Sequence, residues 1–80
     1  MRMEISLSEA PFSRSLKVIS LDGLPKDAQI VLEQLGLFPQ ELIEKIHSAP
    51  LGDPIAIRIG EQVFSLRNEI CKLISVEDAS

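Results

Sequence analysis

The stretch Ala49-Pro50-Leu51-Gly52-Asp53-Pro54 leaves the chain around it few options. Two prolines, each with φ held at about −65°, enclose a Gly-Asp pair, so the six residues form a bend with a fixed entry and exit. The residues that follow, Ile55 to Arg67, alternate apolar with polar or small side chains on either side of Gly60, which is the pattern of a β-hairpin. With Gly60-Glu61 as a two-residue type II′ turn, Ile59 faces Gln62, Ile57 faces Phe64 and Ile55 faces Leu66 on one side. Ala56, Arg58, Val63 and Ser65 take the other side. A slip of one residue would set Ile57 against Ser65 or Val63, so the register is well specified.

Met3, Ile5 and Leu7 recur at period two and predict a short strand or extended arm that ends before Pro11. Leu16-Lys17-Val18-Ile19-Ser20-Leu21 is rich in β-formers and stops at the turn pair Asp22-Gly23. Pro25 then opens a helix, with Asp27 in its first turn, an apolar stripe of Ala28, Val31, Leu32 and Leu35, and Gly36 as its C-terminal cap. Pro39 to Ser48 is ambiguous. Local propensity leans towards a helix, whereas a strand would point Leu42, Glu44 and Ile46 one way and Ile43, Lys45 and His47 the other. Leu66 to Lys72 reads as a single helical turn capped by Asn68. Leu73 to Val76 returns to a strand, and Glu77 to Ser80 reads as a frayed polar tail.

Five or so short strands, one inserted helix and no βαβ rhythm predict a mainly β chain: a small, antiparallel, partly open barrel with a short C-terminal helical turn. Eighty residues make one domain, 1–80, and 45% hydrophobic with 25% charged residues is an ordinary globular composition. With three Phe and no Trp or Tyr, the core must be built from Ile, Leu and Val.

Composition also narrows function. A net charge of −4 and the lack of any Lys/Arg cluster argue against nucleic acid. The lone cysteine, Cys71, cannot form an internal disulfide and fits a reducing compartment. Met1 to Ala10 lacks the apolar core of a signal peptide, and no apolar run approaches the ~20 residues of a membrane span. The expectation is a cytoplasmic protein that does not insert into the membrane.

Taken in order, Leu7-Ser8-Glu9-Ala10, Leu16 to Gly23, Leu32-Glu33-Gln34-Leu35-Gly36-Leu37, Pro39, Ala49 to Pro54, Ile55 to Gly60, Phe64-Ser65-Leu66-Arg67 and Leu73-Ile74-Ser75-Val76 resemble the bacterial FeoA family over nearly the whole chain. The resemblance implies an SH3-like β-barrel with a helical insertion, favours the strand reading of Pro39 to Ser48, and implies a role beside FeoB, the membrane GTPase that moves Fe²⁺. Two positions depart from the family pattern. Members usually carry Pro-Gly after the Leu-Gly pair, where this chain has Pro39-Gln40, so the local turn is expected to differ. The insertion helix, commonly arginine-rich, has Lys26 as its only basic residue, which puts docking through a basic helix in question.

Candidate chemistry is thin. His47, Asp53 and Cys71 are the formal ligands for Fe²⁺ or another divalent transition metal; read as structure, Cys71 is a small core residue, His47 a polar residue at a strand end, and Asp53 a cap on its own bend. A single His and the lack of a phosphate loop predict no enzyme. Leu37, Phe38, Pro50 and Leu51 either form an apolar groove that receives a partner or close the barrel. The reading that results is an accessory or regulatory subunit of ferrous iron uptake that binds FeoB. The alternatives are a metal sensor or carrier, or an SH3-like interaction module with another partner.

Overall fold

The computed structural model describes residues 3–80. Met1 and Arg2, part of the stretch read as lacking a leader, lie outside them. In chain order the elements are β1 (Ile5–Ser6), β2 (Ser15–Ser20), α1 (Lys26–Gln34), β3 (Leu42–Ser48), β4 (Ile55–Ile59), β5 (Gln62–Leu66), α2 (Asn68–Cys71) and β6 (Ser75–Asp78). The strands form one sheet in the order β1-β6-β2-β3-β4-β5, and every neighbouring pair is antiparallel. The last strand thus inserts between the first two.

The β4–β5 hairpin has the register its sequence dictates, with Ile55 opposite Leu66, Ile57 opposite Phe64 and Ile59 opposite Gln62. Gly60 takes φ +62° while Glu61 stays out of the left-handed region, which is the type II′ arrangement.

Pro39 to Ser48 resolves as strand from Leu42 onward. Two strands demand it: Leu16 of β2 stands opposite Ile43, and Ile57 of β4 stands opposite Lys45. Ladder pairing on both sides outweighs the lean of a short segment towards helix. A bulge between Lys45 and His47 breaks the expected alternation. Ile43 and Lys45 are buried, while His47 is exposed.

The sheet wraps a single core. Leu7, Leu16, Val18, Leu37, Ile57 and Val76 are fully buried in one cluster, although they come from five separate segments. The hydrogen-bonded ladder stays open, however, because β1 and β5 lie at opposite edges of the strand order. The expected barrel is therefore not closed: the fold is a six-stranded antiparallel sheet with two short helices.

Three local expectations are corrected. The apolar stripe of α1 is only half used, since Leu32 is buried but Val31 and Leu35 are exposed. The tail is not frayed through Asp78: β6 runs on beside β2, Lys17 pairs Glu77 at 3.6 Å, Arg14 pairs Asp78 at 2.8 Å, and the Ala79 N–H reaches the Ser15 carbonyl at 2.8 Å. Asn68 does not cap α2 with its side chain. Arg67 occupies the cap position, and the Asn68 N–H is itself the orphan donor that needs a partner.

Candidate functional site

The bend between β3 and β4 is held at its base and bare at its tip. Within it the Gly52 N–H donates to the Ala49 carbonyl at 2.7 Å, and the Ala49 N–H donates to the Pro54 carbonyl at 3.0 Å. Gly52 sits at φ +88° with open space where a Cβ would project, so glycine is needed for conformation rather than for room. Asp53 does not cap its own bend. Its Oδ1 accepts the orphan Asn68 N–H at 2.9 Å, and Oδ2 lies 3.8 Å from an Arg67 guanidinium nitrogen. A carboxylate at the first turn of α2 suits the partial positive charge there.

The bend is thereby fastened to the β5–α2 junction, and it carries Leu51 at 98% exposure. Pro50 is exposed beside it, and Phe38 is 46% exposed. Leu37, Phe38, Pro50 and Leu51 do not form one groove: Leu37 lies in the core with no exposed area, and Phe38 precedes the start of β3 whereas Pro50 and Leu51 follow its end. Sequence reasoning missed the outer face of α1, where Ile30, Val31 and Leu35 are exposed. The signal available was Ile30, which lies off the expected stripe.

The formal metal ligands are poorly suited to an ion. Cys71 is fully buried, and burial pushes its thiol up to about 11; the Lys45 charge opposes that rise and the Asp53 charge adds to it. It is therefore a protonated core thiol at neutral pH, whereas a metal ligand must be thiolate. Asp53 is engaged with α2. His47 is exposed beyond the β3 bulge. Among the described residues, no three His, Cys, Asp or Glu side chains are grouped to hold a metal ion.

Lys45 was also missed as a site in its own right. It is 2% exposed, and its Nζ donates to the carbonyls of Ala10 at 2.7 Å and Ser8 at 3.1 Å. The ammonium also lies 4.4 Å from the centre of the Phe12 ring. Its own carbonyl accepts the Ser13 N–H at 2.8 Å. Burial lowers the Lys45 pKa, with the nearby Cys71 acting weakly in the opposite sense. The residue clamps the β1–β2 connection to the centre of the sheet.

A cleft of about 210 Å³ opens beside that connection, and Ser13, Arg14, Ser15, Leu42, Glu44 and Arg58 are among its lining residues. Its charges are already matched: Arg58 meets Glu44 at 3.0 Å, and Arg14 meets Asp78 at 2.8 Å. No excess charge remains there to attract a ligand ion.

The fold class is a small six-stranded antiparallel sheet with two short helices, one of them inserted between β2 and β3. The FeoA domain model matches residues 5–78, and the chain belongs to the FeoA family. Among solved structures it is similar to iron(II) transport protein A from Clostridium thermocellum, at 32% identity and TM-score 0.85 over 94% of this chain and 46% of that one. A FeoA-like protein from Clostridium acetobutylicum aligns at 30% identity and TM-score 0.84, covering 100% of this chain and 92% of that one. FeoA from Stenotrophomonas maltophilia, solved with zinc and described as a prokaryotic SH3 domain protein, aligns at 29% identity and TM-score 0.74 over 90% and 88% of the two chains. The chain thus spans less than half of the first relative and most of the other two. No curated protein matches the sequence.

Proposed function

We propose that this chain is a non-catalytic accessory subunit of bacterial ferrous iron uptake, SH3-like in fold, which acts in the cytoplasm by binding the FeoB GTPase transporter. The observation that carries the reading is family membership across residues 5–78, together with the likeness to a protein named for iron(II) transport. The restrained bend supplies the contact, with Leu51 and Pro50 at its tip. An insertion helix with a single basic residue, Lys26, argues for apolar rather than electrostatic docking.

Pull-down of this protein with the soluble GTPase domain of FeoB and with full-length FeoB, each with and without nucleotide, tests the proposal. Capture by either form is expected, and failure with both overturns it. Leu51→Asp should weaken capture about tenfold or more, the loss typical of truncating an interface anchor. Its thermal stability should be unchanged, since Leu51 is 98% exposed.

A second reading, a metal sensor or carrier, has one observation in its favour: the zinc complex of the Stenotrophomonas maltophilia relative. Anaerobic calorimetry with Fe²⁺ and Zn²⁺ separates the two. Heat at micromolar protein supports a metal role, and its absence removes that reading.

A further inference from the structure

The two edges of the sheet are not alike. β1 is only two residues long and offers little backbone to pair with. β5, by contrast, has five residues, Gln62-Val63-Phe64-Ser65-Leu66, and pairs on one side alone. Exposed edges are usually blunted by lysine, proline, a bulge or short length. β5 has none of these: no charge, no proline, and an unbroken register with β4.

Hairpin geometry decides which backbone groups are free. In a two-residue hairpin the residues flanking the turn form a hydrogen-bonded pair, and such pairs recur at every second position. Gln62, Phe64 and Leu66 therefore bond to β4. Val63 and Ser65 direct their N–H and C=O groups away from the sheet, and the Val63 side chain is 55% exposed.

We propose that β5 is a self-association edge whose occupant is β5 of a second copy of this chain, antiparallel about a two-fold axis through Phe64. In that register Val63 of each copy forms the hydrogen-bonded pair with Ser65 of the other. Phe64 meets its symmetry mate at a non-hydrogen-bonded position, where side chains approach most closely. One step beyond, Glu61 of each copy stands opposite Arg67 of the other. Both are exposed, and the Arg67 side chain is 69% accessible with only a 3.8 Å contact to Asp53.

This self-complementarity selects a second copy over an unrelated strand. The free edge carries an acidic residue at one end, a basic residue at the other and an aromatic midway between them. An antiparallel two-fold brings each charge onto its opposite. The paired strand is short compared with interfaces that hold stable dimers, so the association is concentration-dependent.

Sedimentation velocity of the full chain from about 10 μM to on the order of 1 mM tests the proposal, in the range where interfaces below standard size assemble. A monomer–dimer equilibrium is expected. Glu61→Arg alone sets arginine against Arg67, and Arg67→Glu alone sets glutamate against Glu61; each should weaken self-association about tenfold, because two symmetry-related like-charge pairs are created. An equimolar mixture of the two variants restores opposite charges at both ends and should recover wild-type association. Val63→Lys, which places a charge on the edge without breaking a backbone hydrogen bond to β4, should give a monomer. A monomer throughout the range overturns the proposal. So does a dimer indifferent to the single charge variants, or a mixture that fails to recover.

Discussion

Gln40 tests whether backbone strain in this fold can be read and removed. It lies at φ +79°, a region that costs a side-chain-bearing residue about 1–2 kcal/mol. The surroundings hold it there. Its N–H donates to the Val18 carbonyl at 2.7 Å, the Val18 N–H donates to the Glu41 carbonyl at 2.9 Å, and the Glu41 N–H closes the turn on Phe38 at 3.1 Å. Glycine would adopt this left-handed conformation freely, whereas here a residue with a side chain holds it. Gln40→Gly relieves the strain and loses only an exposed side chain. Glycine also adds unfolded-state freedom, which offsets about 0.4–1 kcal/mol of the relief. The net expectation is stabilisation by about 0.5–1 kcal/mol, or a Tm rise of roughly 3–6 °C in a domain of this size. Chemical denaturation of both proteins measures it, with unchanged m-values as the sign that only stability moved. Gln40→Ala retains a Cβ at the same φ and should bring no such gain. Gly52→Ala calibrates the argument in reverse: φ is +88° and a Cβ meets nothing within 4 Å, so any loss reports conformation alone. A neutral or destabilising Gln40→Gly would refute the reasoning.

Other consequences can be checked on the same material. A Cβ on Gly23 would lie 2.8 Å from the Leu73 carbonyl oxygen, so Gly23→Ala forces two backbone segments apart and should cost on the order of 2 kcal/mol by equilibrium denaturation. Cys71 titrates at 9.0 in the unfolded chain and at about 11 in the fold. Between those values the unfolded state has lost the proton that the native state keeps, so stability should fall with rising pH, by at most about 2.7 kcal/mol at ~1.36 kcal/mol per unit. Lys45 works in the opposite sense: its native pKa is lowered, so its contribution rises with pH up to the unfolded value of 10.5. Denaturation of wild type and Cys71→Ala from pH 8 to 11 separates them, since only wild type should show the downward component. Lys45→Met leaves the Ser8 and Ala10 carbonyls without their donor and should destabilise by about 2–3 kcal/mol, with faster amide exchange concentrated in residues 7–14.

What could be read from the sequence was whatever the chain decides within a few residues. The β4–β5 register follows from an alternation and a glycine that are adjacent in sequence, and the FeoA motifs are themselves mostly turns and alternations. What resisted reading depends on distant partners. β3 is a strand because β2 and β4 flank it, Glu77 and Asp78 are ordered because β2 lies alongside, and Asp53 serves a helix that begins fifteen positions later. Burial on α1 failed for a related reason. Periodicity shows which residues share a face, but the width of the groove that receives the face is a tertiary property. Here it admits Leu32 and leaves Val31 and Leu35 outside.

Lys45 shows how a local clue becomes decisive only when the fold supplies its other half. The strand reading placed Lys45 on the same side as Ile43, and a lysine on an apolar side must either bend to solvent or find acceptors. The Leu7 to Ala10 turn provides them, because the Ser8 and Ala10 carbonyls face inward, and Phe12 covers the ammonium. This one side chain ties the segment entering β2 to the strand that leads into the Leu51 bend. Loosening Lys45 should therefore disturb the β1–β2 connection first. The bend has its own anchor in the Asp53–Asn68 bond, so FeoB capture by Lys45→Met at a temperature where it remains folded should match wild type. A loss of capture in that folded variant would move the contact surface from the bend to the β1–β2 connection.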